Sequence, residues 1–200
     1  IADLAATGTA SSTTFLRGDN SWQEVGGGMH TQIGSTQTLS GQSSCNFESG
    51  FTSTYKTYLI RFENVTVNTN AANVQLRVGT GGTPTYQTGS VYQFHGQRMQ
   101  GSSSAEAQYN NDSATSYTVS ESGIGNTSEQ SAHFSIYIYN PASAATRTLF
   151  RSVGMAYYYG QYEHHHISGG GYKAATAVTA IKLYPTSGTF SGTFKLYGLN

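Results

Sequence analysis

The sequence predicts an all-β protein, a jelly-roll-like antiparallel β-sandwich preceded by a short extended N-terminal arm. Three observations carry this. Apolar and polar residues alternate over short runs, the signature of half-buried strands. Turn-forming residues return between those runs. No stretch carries the three-to-four-residue apolar spacing of an amphipathic helix.

Along the chain, residues 1–28 read as an arm and linker, and residues 29–200 as the sandwich head. Gly26-Gly27-Gly28 is the expected hinge between them. Tyr58, Ile60 and Phe62 alternate with Leu59, Arg61 and Glu63; Val74, Leu76 and Val78 alternate with Gln75 and Arg77. Phe134, Ile136 and Ile138 alternate with Ser135, Tyr137 and Tyr139. Near the end, Thr179, Ile181 and Leu183 alternate with Lys182 and Tyr184, and Phe194 and Leu196 with Lys195 and Tyr197. Loops are expected at Gly79–Pro84, Gln100–Ser104, Asn140-Pro141 and Ser168–Gly171, and a single helical turn at Ser104–Gln108. Many strands without helices to cover a sheet make a two-sheet sandwich. The Cys…Trp…Cys framework of an immunoglobulin-like domain is missing, which favours a jelly roll.

Composition narrows the function. The chain has 200 residues, enough for one domain with a real core. Charged residues make up 10%, against a norm of about 25%, while Ser and Thr number 51. With 15 Tyr and 9 Phe the chain is too aromatic to be disordered. Ten basic residues balance ten acidic ones and form no run, so nucleic-acid binding is not expected. No apolar run reaches the roughly 20 residues of a membrane-spanning helix, so membrane insertion is not expected either. Cys45 is alone and is expected to be a buried free thiol.

Residues 8–22, GTASSTTFLRGDNSW, hold the large apolar side chains Phe15, Leu16 and Trp22 in a segment too poor in such residues to build its own core. Each is worth about 1.5–3 kcal/mol when buried, and the expected cover is other copies of the same arm, as trimer contacts around a closed axis. This segment closely resembles a short module found just before the C-terminal heads of bacteriophage tail fibres and related virion proteins. A second resemblance lies in TYKTYLIRFENVTV (Thr54–Val67), NVQLRVGTGG (Asn73–Gly82) and TAVTAIKLYPTSGTFSGTFKLYGLN (Thr176–Asn200), which look like C-terminal domains of phage virion structural and tail-fibre proteins. The resemblance implies a homotrimeric protein on the virion surface, in contact with other virion proteins.

Two clusters are candidates for binding. His164-His165-His166 on a strand would place His164 and His166 on one face and His165 on the other. Three copies of that pair about a threefold axis could give six imidazoles to one transition metal, an axial cofactor in an otherwise cofactor-free protein. Tyr157, Tyr159 and Tyr162, with His165, form a tyrosine-rich stretch suited to host-surface glycan, because tyrosine offers both a ring face and a hydroxyl. Strand alternation allows at most two of Tyr157–Tyr159 on one side. Arg17-Gly18-Asp19 spells an integrin-type tripeptide but reads more simply as a turn.

Catalysis is not expected. The carboxylates are scattered singly, and a glycosidase needs two flanking one bond. No nucleophile elbow, zinc-helix or phosphate-loop motif is present. The sequence thus points to a receptor-binding fibre tip that attaches a virion to host polysaccharide. Two alternatives stay open: a non-catalytic structural virion protein (capsid decoration, head fibre or tail component), and a glycan-degrading spike.

Overall fold

The computed structural model describes residues 7–12, 14–24, 29–101, 106–121, 123–160 and 162–200. The expected glycine hinge at 26–28 lies outside the described residues. In chain order the strands are β1 (Thr14–Leu16), β2 (Trp22–Glu24), β3 (His30–Gln42), β4 (Cys45–Phe47), β5 (Thr57–Val67), β6 (Val74–Thr80), β7 (Thr85–Tyr86), β8 (Tyr92–Gln100), β9 (Glu106–Ala114), β10 (Tyr117–Thr118), β11 (Ala132–Tyr139), β12 (Leu149–Tyr157), β13 (Glu163–Tyr172), β14 (Val178–Pro185) and β15 (Phe190–Leu199).

The antiparallel β-sandwich is present, with sheets of unequal width. The wide sheet runs β3-β15-β5-β11-β12-β13-β8-β9, and the narrow one β10-β6-β14-β4 with β7 beside β6. Every pairing between named strands is antiparallel. The alternating residues read from the sequence face one another between the sheets. Tyr58, Ile60 and Phe62 of β5 join Ile136 and Ile138 of β11, Leu196 of β15, and Leu76 and Val78 of β6, all essentially free of solvent. Burial of each such side chain stabilises the fold by about 1.5–3 kcal/mol. Phe62 lies between Phe134 and Phe194, with ring centroids 5.3 and 5.7 Å away.

Cys45 is a buried free thiol, as expected, and burial pushes its pKa up to about 12. Two local expectations are corrected. Ser168–Gly171 lies within β13 rather than in a loop, paired with β12 on one side and β8 on the other. Glu106–Gln108 begins β9 instead of closing a helical turn, and it pairs with Gln97–Met99.

Ahead of the sandwich, β1 and β2 form a separate two-stranded sheet. Its loop closes through Asn20 N–H donating to the Arg17 carbonyl at 2.9 Å, with Asn20 at φ 64°. The Asp19 carboxylate accepts from Ser21 N–H and Oγ, at 3.1 and 2.6 Å. The Arg17-Gly18-Asp19 tripeptide is therefore a hairpin turn, closed by local hydrogen bonds. Phe15 and Leu16 are 48% and 46% exposed in the single chain, and Trp22 is part-buried.

Candidate functional site

The wide sheet presents one face to the narrow sheet and the other to solvent, and β13 shows how the sequence divides between them. Residues 164, 166 and 168 turn inward; 165, 167 and 169 turn outward.

Inside, His164 and His166 are 1% and 0% exposed. This corrects the expected axial metal site. The two rings are enclosed within a single chain's sandwich, where imidazoles of three copies cannot meet. Their centroids lie 5.9 Å apart; His164 stacks on Tyr158 at 4.6 Å, and His166 packs on Phe134 at 5.6 Å. All four ring nitrogens lack a hydrogen-bond partner among the described residues. Within the one chain that encloses them the pair finds no third ligand: no group of three His, Cys, Asp or Glu able to hold a metal exists among the described residues, and zinc sites use three or four protein ligands. The pair does not fit a metal.

Burial, with the nearby His164, Arg98 and His165, holds the His166 pKa down to about 3. Burial and Arg98 lower that of His164, against an opposing pull from Glu163. Arg98 shares the inner row with His166 and Gly154 and reaches Glu121 at 3.0 Å. One step along, Ser168 Oγ hydrogen-bonds to Tyr117 Oη and Ser152 Oγ, both at 2.6 Å, and Ser152 Oγ donates to the Val119 carbonyl at 3.2 Å. This knot satisfies three buried hydroxyls and ties β10 to β12 and β13. Burial raises the Tyr117 pKa, so its phenol stays neutral.

Outside, cross-strand pairing sets side chains in rows. One row runs Tyr197, Leu59, Tyr137, Arg151, Gly169, His95, Asn110 across seven strands. Leu59, although outward, is only 3% exposed; its row neighbours Tyr137 and Tyr197 stand on either side. The next row holds Ser135, Val153, Ile167, Gln97 and Gln108, and the one beyond it His133, Met155, His165, Met99 and Glu106. Where Gly169 interrupts the first row, a depression of about 540 Å³ opens. Its lining includes Arg151, His95, Gln97, Gln108, Asn110 and Ile167.

The tyrosine-rich stretch lies at one end of this face. Tyr157 and His165 are outward-facing residues of β12 and β13, with Tyr157 43% exposed. Tyr159 and Tyr162, 45% and 44% exposed, belong to the connection between those strands. That connection is held from behind: Ile124 bridges both Ala72 and Tyr158, and Gly125 N–H donates to the Tyr157 carbonyl at 3.0 Å. Tyr159 packs on Tyr158 at 4.0 Å, and Tyr158 in turn stacks on the inward His164. Two of the four expected glycan residues thus share a face, and two flank it.

Sequence reasoning missed the depression over Gly169. Its signal was present: glycines inside a strand mark a bulge, a close backbone approach or a place for a ligand, but Ser168–Gly171 read as a loop. No protein-family model matches this chain, no curated protein matches it, and no solved structure matches it.

Proposed function

We propose that this chain is the tip of a homotrimeric phage virion fibre, a non-catalytic receptor-binding protein that attaches the particle to polysaccharide on the host surface. The observation that carries the reading is the outward face of the wide sheet. Arg151, His95, Gln108 and Asn110 stand there with no side-chain hydrogen bond or ion pair among the described residues, and exposed tyrosines lie at one end. Saccharides are held by such uncommitted donors and acceptors together with ring faces. The resemblance of Gly8–Trp22 to modules preceding fibre heads supports the same reading. So do Phe15 and Leu16, apolar surface that three arms would bury together.

Binding of the full chain to an array of bacterial surface polysaccharides tests the attachment role, with the chain length of each bound polysaccharide measured afterwards. Binding with unchanged chain length is expected. Shortened polysaccharide would make the protein a glycan-degrading spike. Binding to nothing on the array would leave a structural virion component. For the assembly, sedimentation should show a trimer that dissociates more readily in the Phe15→Ser, Leu16→Ser double variant while the head's melting temperature is unchanged. A monomeric wild-type chain would contradict the arm's role.

A further inference from the structure

We propose that the depression over Gly169 is the saccharide site and that it takes an acidic sugar, whose carboxylate is received by Arg151. This rests on the reading of the chain as a polysaccharide-binding fibre tip and assigns the site and ligand class within it.

Gly169 pairs with Arg151 on β12 and with His95 on β8. Adjacent strands lie about 4.8 Å apart, so the walls of the gap rise from backbones roughly 10 Å apart, and the depression's volume of about 540 Å³ has room for a pyranose ring. The floor carries no side chain of its own: a Cβ built on Gly169 would make only ordinary van der Waals contact, with the His95 imidazole and the Phe150 carbonyl at 3.9 Å, so His95 leans over one side of the floor. Ile167, part-buried beside it, offers an apolar surface to sugar C–H groups. Gln97, Gln108, Asn110 and His95 supply donors and acceptors for hydroxyls on the far wall.

Charge selects the ligand. Among the residues lining this depression Arg151 is the one Arg or Lys, and none is Asp or Glu. The other outward cations nearby are engaged: Arg61 and Lys195 both pair with Glu63, at 3.0 and 3.4 Å. An uncommitted guanidinium receives a carboxylate through two parallel, charge-assisted N–H···O bonds, roughly twice as strong as those it gives to a neutral sugar's hydroxyls. Asp112 lines the adjoining depression, beyond His95. Repulsion from it directs the sugar's carboxylate toward the Arg151 side.

The test titrates the full chain with alginate, polygalacturonate and polysialic acid, with dextran as the neutral probe, beside the Arg151→Gln and Gly169→Val variants. At least one acidic polymer should bind tenfold or more tightly than dextran, with affinity falling as salt rises. Each variant should weaken that binding at least tenfold. Gly169→Val fills the floor, and its melting temperature reports whether it folds. Arg151→Gln alters an exposed side chain and decides the matter if the valine variant does not fold. Variants that bind like wild type would overturn the site while leaving the attachment role intact. A preference for dextran, or for neutral polysaccharides of the array, would overturn the acidic class alone. Binding to no polysaccharide, acidic or neutral, would overturn both this site and the proposed function.

Discussion

The two faces of Glu163–Tyr172 use similar residues to opposite ends. Inward, His164, His166 and Ser168 are withdrawn from water; outward, His165, Ile167 and Gly169 line solvent. The serine is fully hydrogen-bonded in its knot, whereas the two histidines have partners only for their ring faces. Outside, polar groups meet water at no desolvation cost, and those with no side-chain partner among the described residues, Arg151 and Asn110 among them, are available to a ligand. The lesson is that burial, more than residue type, sets what a histidine or serine on this strand does. Position within the two-residue repeat decides burial.

That contrast can be broken most forcefully with acid. His166 has a folded pKa near 3 against an ordinary value of 6.5, so the folded state binds its proton less readily than the unfolded chain. Stability from this group is fully present above pH 6.5 and is lost as pH falls from 6.5 toward 3, at about 1.4 kcal/mol per pH unit. Urea unfolding from pH 7 to pH 4 should therefore show a loss of roughly 3 kcal/mol from this residue alone. The charged and titratable groups around it, Arg98, His164 and His165, all oppose its protonation, and Glu121 is drawn to Arg98. His166→Phe should flatten the slope; an unchanged slope would mean that the ring is hydrated.

Glycine substitutions sharpen the comparison next. Gly154 pairs with His166 on the inner side, and a Cβ there would collide with the His133 carbonyl and the Phe134 ring. Gly154→Ala should cost about 1–3 kcal/mol by overpacking. Tyr117→Phe, which removes one member of the buried hydroxyl knot, should cost about 1 kcal/mol. The outward Gly169→Val should change stability by less than about 0.5 kcal/mol. Denaturant midpoints measure all three. If the last equalled the first, the openness of the outer face would be refuted.

How much of this was legible follows from the same physics. Strands β5, β6, β11, β14 and β15 bury one face against the opposite sheet, so their apolar alternation announces them. Strand β3 is exposed along most of its length, and β9 along its outward positions. They are edge strands held by backbone pairing to β15 and β8, and pairing of that kind leaves no apolar period in the sequence. Strand β13 was partly legible: alternation correctly separated His165 from His164 and His166. Which of the two faces turned inward was not, because histidine is at home in either setting. Gly169–Gly171 suggested a loop because glycine is common there, although pairing with strands on both sides requires only an extended backbone. The tyrosine-rich stretch was legible as a candidate glycan surface, but the turn that separates Tyr159 and Tyr162 from Tyr157 depends on the 123–130 segment behind them.

A crystal structure of the full chain with a uronate oligosaccharide that binds it tests the central claim most directly. The account predicts one sugar ring over Gly169, between Arg151 and His95, with its carboxylate on the Arg151 guanidinium. Sugar bound at Tyr159 and Tyr162, or on the narrow sheet, with the Gly169 depression bare, would contradict it.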